Sequence, residues 1–400
     1  MIGVRALGIV CEYNPFHFGH LYQMEESRRM CGDAAVVCVM SGDFVQRGEA
    51  ALIDKFARAE AACRCGADLV VELPLPWCLS SAESFARGAV SLLDAVGCTW
   101  LSFGSETDRL QELEALAEKL LEEKTRERIR DCLSGNALLS YAEARQLTLE
   151  ETLGETAALL AKPNCILAVE YLKALKQGIG AMRPLAVRRI GAGHDENTES
   201  TFRSASQLRS MFELGEDLGV YLPSPSAEVL RREQAVRACR NPEVLELALR
   251  SRLYGLREED FDRLPDASDG AGRKLYKTLR EGRSLEETVQ SASSRRYTKA
   301  RMRRMLLCAA LGVKGEDSGG LPPYARLLAA NEKGRAFLAE MRESIRIPVV
   351  TKPASVKKLD QHAQELFSLG SAAHDLYVLQ KFSNETTPLG EDWRKGPFVV

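Results

Sequence analysis

Short, strongly apolar runs recur along the first half of the chain, and stretches with helical spacing lie between them. The runs are ALGIVC at 6–11, AAVVCVM at 34–40, ADLVVELP at 67–74 and TWLSFGS at 99–105. A strand covered on both faces reads as an unbroken apolar run, and strands separated by helices pair in parallel. The alternation therefore constrains this chain to an α/β core, a Rossmann-like doubly wound sheet. MRPLAVRRIG at 182–191 reads as a further strand. It is reached through a helix in NCILAVEYLKALKQG, whose Ile166, Leu167, Val169, Leu172 and Leu175 fall near helical spacing.

Four hundred residues, 45% of them hydrophobic, exceed what one compact domain usually fills. The segment 108–133, DRLQELEALAEKLLEEKTRERIRDCL, predicts one charged amphipathic helix, part of a helical insertion around 108–160. After YLPSPSAEVL the strand signals fade into helices joined by polar turns such as LPDASDGAGR. The expected division is a catalytic α/β domain over 1–222 and a mainly α-helical C-terminal domain over 223–400.

A net charge of −2 announces no bulk affinity for nucleic acid, so a polyanion would have to meet a local patch. No run of eighteen apolar residues occurs, and no basic leader precedes a cleavable apolar core. A cytoplasmic location without membrane attachment is the expectation. The eleven cysteines sit mostly inside apolar segments, which favours free thiols over a disulfide framework. Cys63 and Cys65 lack a second pair at zinc-site spacing, so no metal site is expected there.

At the turn after the first strand stands EYNPFHFGH, residues 12–20. Open α/β sheets bind ligands beyond the carboxyl ends of their strands, and a helix starting there offers unpaired N–H groups to an anion. Neither the glycine-rich dinucleotide fingerprint nor a Walker loop is present. A helix beginning near Phe18 would set His17 and His20 one turn apart, beside the positive end of its dipole. Such imidazoles can donate to phosphate oxygens, and the same spacing equally suits helix-capping or core histidines. Gly19 between them removes a Cβ that would hold a nucleotide away.

An H-x-G-H element after the first strand marks the nucleotidyltransferase superfamily. Here GIVCEYNPFHFGHL, SGDFVQRGEAALIDKFARAEAA, GADLVVELP, SAESFARGAV, FGSE, KPNCILAVEYLKAL, RRIGAGHDE and SASQLR follow in an order that resembles the tRNA(Met) cytidine acetate ligase family. RRYTKARMRRMLL and EDWRKGPFVV extend the likeness toward the C-terminus. The resemblance implies a nucleotidyltransferase fold and an ATP-dependent ligase. Acetate would be activated as acetyl-adenylate and transferred to N4 of the wobble cytidine in elongator tRNA(Met), giving N4-acetylcytidine. ATP is then a substrate, accompanied by Mg2+, and acetate and tRNA are the partners.

Carried over residue by residue, the resemblance puts ATP on Val10, Cys11, Glu12, Tyr13, Asn14, Pro15, Phe16, His17, Phe18, Gly19, His20, Leu21, Tyr22 and Gln23, with His17 and His20 as the catalytic phosphate ligands. Gly104 in FGSE, Asn164 in KPN and Arg189 in RRIG match the remaining nucleotide contacts. SASQLR matches a second phosphate element with Ser204, Ser206 and Arg209, a pattern that also fits an ordinary helix cap. Two departures stand out. Phe18 replaces the family's usual Asn, and SGDFVQRGEA carries Asp43 and Ala50 where Asn and Pro are common; Asp43 could bind magnesium or simply replace an amide.

Arg47 in SGDFVQRGE lies at the ligand edge, where it could bind an anion or pair with Glu49 or Asp54. Between Ala271 and Ala310 eleven Lys or Arg face three Glu. On a helix, Arg295, Lys299 and Arg303 would share one face, with Arg296 beside them and Met302, Met305, Leu306 and Ala309 forming an apolar stripe. The excess of one sign, with Tyr297 inside it, points to tRNA phosphates. Two other functions use the same residues: a small-molecule adenylyltransferase, which does not need the basic helical part, and an RNA-binding protein with a vestigial nucleotide site, which would not keep His17, Gly19 and His20 intact.

Overall fold

The computed structural model describes residues 5–136, 139–190, 202–236, 241–381 and 389–400. Its strands are β1 (Ala6–Cys11), β2 (Ala35–Ser41), β3 (Phe44–Val45), β4 (Glu49–Ala50), β5 (Leu69–Leu73), β6 (Trp100–Ser105), β7 (Arg183–Arg188), β8 (Ala325–Ala330), β9 (Val349–Val350) and β10 (Phe398–Val399). An eight-stranded sheet runs in the order β10-β8-β5-β2-β1-β6-β7 with β9 beside β8, while β3 and β4 form a separate hairpin. The strands expected from the apolar runs are present and pair in parallel.

Side chains alternate across a strand, and here both sides find a core. Leu7 and Ile9 of β1 join Val36, Cys38 and Met40 of β2 on one face, under Met24 and Phe56 from the helices Phe18–Cys31 and Lys55–Arg64. On the other face Ala6, Val37, Val39 and Val71 meet Phe85, Val90 and Leu93 of the helix Ala82–Ala95 and Val169 of the helix Pro163–Lys176. The chain leaves β1 for β2 on one side and returns to β6 on the other. The sheet order therefore reverses at β1, and a crevice opens beyond its carboxyl end.

Two expectations about the elements are corrected. The segment 108–133 is broken at Glu122, whose extended backbone separates the helices Leu110–Leu121 and Glu123–Gly135. Strands also do not fade after residue 222. The helices from Ser224 onward give way to β8, which lies antiparallel to β5, and β10 then pairs in parallel with β8. The sequence of β8, ARLLAA, has no β-branched residue and reads by propensity as helix. Burial between β5 and β10 overrides that preference. Of the described cysteines, all are free thiols and all but the half-buried Cys132 are buried, while Cys239 lies outside the described residues. No helix among the described residues is long and apolar enough to cross a membrane.

Buried charge ties the returning C-terminal part to the sheet. Lys55, 1% exposed, donates to Glu72 at 2.8 Å and to Asp392 at 2.7 Å. Arg326 of β8 reaches Asp392 at 3.0 Å. Asp43 accepts from the Lys55 backbone N–H at 2.8 Å and from His374 Nδ1 at 2.7 Å, while His374 Nε2 lies 3.0 Å from Glu391. Each oxygen of Asp43 thus has a partner inside the protein, and the residue is part of the buried network that joins the sheet to the C-terminal part. With a carboxylate on each ring nitrogen, His374 is held as an imidazolium.

Burial pulls the His374 pKa down, but Asp43 reverses the effect and raises it to about 10. A histidine whose pKa rises on folding adds stability that is complete below its unfolded value near 6.5 and is lost as the pH climbs through about 10. His374→Ala leaves Asp43 buried without its counter-charge and should cost ~3–5 kcal/mol in urea unfolding at neutral pH. The loss should shrink steadily between pH 6.5 and pH 10 as the parent protein gives up the same proton.

Candidate active site

The crevice beyond β1 is an open cleft with about 1500 Å³ of empty volume. His17 and His20 line it, together with Val10, Cys11, Glu12, Tyr13, Asn14 and Gln23, and so do Gly104, Asn164, Arg189, Ser204, Ser206 and Arg209. Gly19 and Tyr22 line a smaller recess that shares His17, Gln23, Gly104, Arg189 and Ser204 with the cleft. Pro15, Phe16, Phe18 and Leu21 line neither. Phe16 packs beneath Tyr13, whose ring in turn meets His20 edge-on at 4.9 Å. The replacement of Asn by Phe18 thus falls outside the cleft wall.

His17 is the N-cap of the helix Phe18–Cys31. Its Nδ1 accepts from Gly19 N–H at 3.0 Å, and His20 Nδ1 accepts from His17 N–H at 3.3 Å. The two rings stack with centroids 3.7 Å apart. A neutral imidazole that accepts at Nδ1 carries its proton on Nε2, so each ring keeps one donor. Burial and the nearby Arg189 lower the His17 pKa to about 3; burial, His17 and Arg189 lower that of His20 as well. The cap and the anion ligand are thus compatible in one side chain. Gly19 is required for a reason internal to the protein: a Cβ there would lie 2.9 Å from His17 Cε1 and push the capping ring away.

Other walls are set by residues not singled out in the sequence. Arg58, buried, donates Nε to Ile53 O at 3.1 Å, one terminal nitrogen to Glu12 O at 2.6 Å and Ser41 O at 3.1 Å, and the other to Gly42 O. Glu106, the last residue of FGSE, accepts Asn164 Nδ2 at 2.7 Å and Cys165 N–H at 2.9 Å, so it caps the helix Pro163–Lys176 and fixes the Asn164 amide. Burial would raise the Glu106 pKa, but these hydrogen bonds hold it below the usual glutamate value. Ser226 donates to Phe16 O at 2.8 Å from the helix Ser224–Val236. Arg58 and Ser226 are ordinary residue types in ordinary helices and Glu106 stands in a bend after β6, which is why pattern reading passed over them.

Ser204 caps the helix Ala205–Glu213 through Gln207 N–H, and the first turn of this helix opens onto the cleft. Arg209, one turn in, reaches Asn14 O at 3.3 Å and Glu49 at 3.6 Å. Asn14 Oδ1 takes Leu52 N–H at 2.8 Å, while its buried Nδ2 and Arg189 Nε have no hydrogen-bond partner among the described residues. These are donors at a cleft with little negative charge. Arg47 is exposed on its rim, and its two anticipated partners are engaged elsewhere: Glu49 with Arg303 and Arg209, Asp54 with Lys381 and as the N-cap of Lys55–Arg64. The segment GAGHDE, residues 191–196, lies outside the described residues.

The basic segment is placed differently from expectation. The helix starts only at Lys299, capped by Thr298, so Arg295 and Arg296 lie in the preceding bend. Met302, Met305, Leu306 and Ala309 are buried as the apolar stripe. Arg303 points back to the β3–β4 hairpin and binds Glu49 at 2.9 Å and Glu286 at 2.8 Å. Arg295, Arg296 and Lys299 are exposed, and the Tyr297 ring is flanked by Lys274, Arg296 and Arg301 at 5.4, 5.9 and 5.4 Å.

The chain matches the family model described as HIGH Nucleotidyl Transferase over residues 4–391. A tRNA(Met) cytidine acetate ligase of Syntrophotalea carbinolica is 38% identical over 87% of this chain and 85% of its own length. One from a Thermoanaerobacter species is 36% identical over 93% and 94%. Among solved structures, Thermotoga maritima TmcAL bound with alpha-thio ATP superposes with a TM-score of 0.90 at 30% identity, covering 99% of this chain and all of that one.

Proposed function

Because this chain belongs to the tRNA(Met) cytidine acetate ligase family of HIGH nucleotidyl transferases, we propose that it activates acetate with ATP and acetylates N4 of the wobble cytidine of elongator tRNA(Met). The observation that most supports the assignment of the site is the stacked pair of neutral histidines, each leaving an Nε2–H beside the crevice of the sheet. His17 and His20 would donate to the triphosphate and to the pyrophosphate as it departs. Neutral donors suit this role, since they stabilise growing charge without binding the product as a fixed cation would.

The remaining anion contacts would come from Arg189, Arg209 and the N–H groups of Ala205 and Ser206, where a helix begins, since Ser204 N–H is held by Gln207 Oε1 at 2.9 Å. Gly104 and Asn164 would hold the nucleoside. With Asn164 Nδ2 committed to Glu106, its Oδ1 is the atom left for a donor. Magnesium, travelling with ATP, counts as part of that substrate. The mixed anhydride of acetate and AMP is itself reactive, so positioning beside the cytidine amine can supply most of the acceleration. A cysteine nucleophile is not needed, and Cys11 would make a poor one because burial pushes its thiol pKa well up.

The tRNA would be met by the helical part after residue 223, on the exposed Arg295, Arg296 and Lys299 around Tyr297. Arg303 belongs to the joint with the catalytic hairpin rather than to that face.

Two outcomes test these assignments. His20→Ala, and likewise His17→Ala, should remove a few kcal/mol of transition-state stabilisation and with it acetate-dependent ATP–pyrophosphate exchange, on a fold unchanged by circular dichroism. Exchange at the parent rate would rule the pair out as phosphate ligands. Mass spectrometry of nucleosides from tRNA(Met) incubated with ATP, acetate and protein checks the product directly. Replacing Arg295, Arg296 and Lys299 together by Gln should weaken tRNA binding and flatten its log–log salt dependence by roughly one unit per lost phosphate contact. Unaltered affinity and slope would place the tRNA elsewhere.

A further inference from the structure

The acetyl transfer must remove a proton from the cytidine amine, and most titratable groups lining the cleft are unsuited to take it. His17 and His20 spend their only free lone pairs, at Nδ1, on backbone N–H groups. Tyr13, Tyr171 and Cys11 are held protonated by burial. Arg47, Arg189 and Arg209 are donors only. One carboxylate lines the cleft among the described residues, that of Glu12. It follows β1 directly, at the point where the sheet order reverses. Arg58 fixes its backbone carbonyl at 2.6 Å, and its Oε1 accepts Gln46 N–H at 2.9 Å. Its Oε2 makes no hydrogen bond among the described residues.

We infer that Glu12 is the general base of the transfer step, with Oε2 taking the proton from cytidine N4. This rests on the acetyl-transfer reading given above. The N4 lone pair forms a bond to the acetyl carbonyl carbon. The bond from that carbon to the AMP phosphate oxygen breaks, and AMP leaves with its electron pair. The N4 proton passes to Glu12 and from there to solvent. The groups facing Glu12 are Arg47 on the hairpin, Arg58 on the helix Lys55–Arg64, Arg209 on the helix Ala205–Glu213, Tyr171 on the helix Pro163–Lys176, Cys78 and the histidine pair. Burial lifts the carboxyl pKa above the usual glutamate value despite Gln46 and the arginines, which makes the ionised form a better proton acceptor.

Synthetic acetyl-adenylate and tRNA(Met), mixed with the full-length protein in single turnovers across a pH series, isolate this step from ATP binding. Glu12→Gln keeps an oxygen for Gln46 N–H and removes the base. In the parent protein the transfer rate should rise with pH until Glu12 is ionised and then level off. In E12Q at saturating tRNA it should fall by about 100-fold or more and lose that rising limb. Glu12→Asp should keep the limb at a reduced rate. E12Q transferring within threefold of the parent at every pH would overturn the inference, and so would a loss that preserves the limb, since Glu12 would then only position the Gln46 loop. If the parent protein cannot use acetyl-adenylate at all, the acetyl-transfer reading and the role of Glu12 fall together.

Discussion

The guanidinium of Arg58 is the group on which the crevice beyond β1 depends. It is buried, and the partners found for it are backbone carbonyls: those of Glu12 beyond β1, of Ser41 and Gly42 at the end of β2, and of Ile53 before its own helix. Strand ends in a parallel sheet expose carbonyls that nothing in the sheet can satisfy. A loop folded over them must bring its own donors or leave them unpaired at a cost of ~1–3 kcal/mol each. A planar cation with several N–H groups in fixed directions can serve two strand ends together. Removing it would release both loops that carry the cleft, the one with Glu12 to His20 and the one with Asp43 to Glu49.

With the floor held in this way, the histidines can serve both as caps and as donors. An isolated imidazole in a cleft would rotate and titrate. Here Gly19 N–H and His17 N–H fix the orientation, the stacked rings fix the spacing, and burial with Arg189 keeps both neutral. Capping is thus what aims the donors. The two explanations that the bare spacing H-x-x-H left open, a helix cap and a phosphate donor, are therefore compatible in the same side chains.

The parallel strands were legible because apolar runs bounded by turns admit few other folds, and the H-x-G-H turn was legible as a candidate because it follows β1, where the sheet order reverses. What escaped were features whose sequence signal is weak. β8 is made of Ala, Leu and Arg, so local propensity points to helix while its place between β5 and β10 imposes a strand. Arg58, Glu106 and Ser226 act on backbone groups far away in sequence, and no spacing rule marks a residue whose partner is a distant carbonyl or N–H. Asp43 left two readings open, a magnesium ligand or a replacement for an amide, and its sequence neighbours name no partner for it. Its partner His374 lies 331 residues away, and only the fold brings the two together.

The same long-range logic decides how the basic helix stands relative to the chemistry. Arg209 faces the cleft and reaches Glu49; Glu49 holds Arg303; Arg303 holds Glu286. Pairs this exposed are individually worth little, so the chain of charges cannot by itself be the clamp. The clamp is steric. Gly48, with φ of +79°, turns the β3–β4 hairpin so close to the helix Lys299–Leu311 that a Cβ would sit 2.7 Å from Arg304 N. Backbone against backbone leaves little play, and the buried Met302 and Met305 seat the helix from its other side. The exposed cations before that helix are therefore fixed relative to Arg47 on the hairpin that lines the cleft. A basic face attached through a polar, solvated joint would have no such register with the cleft.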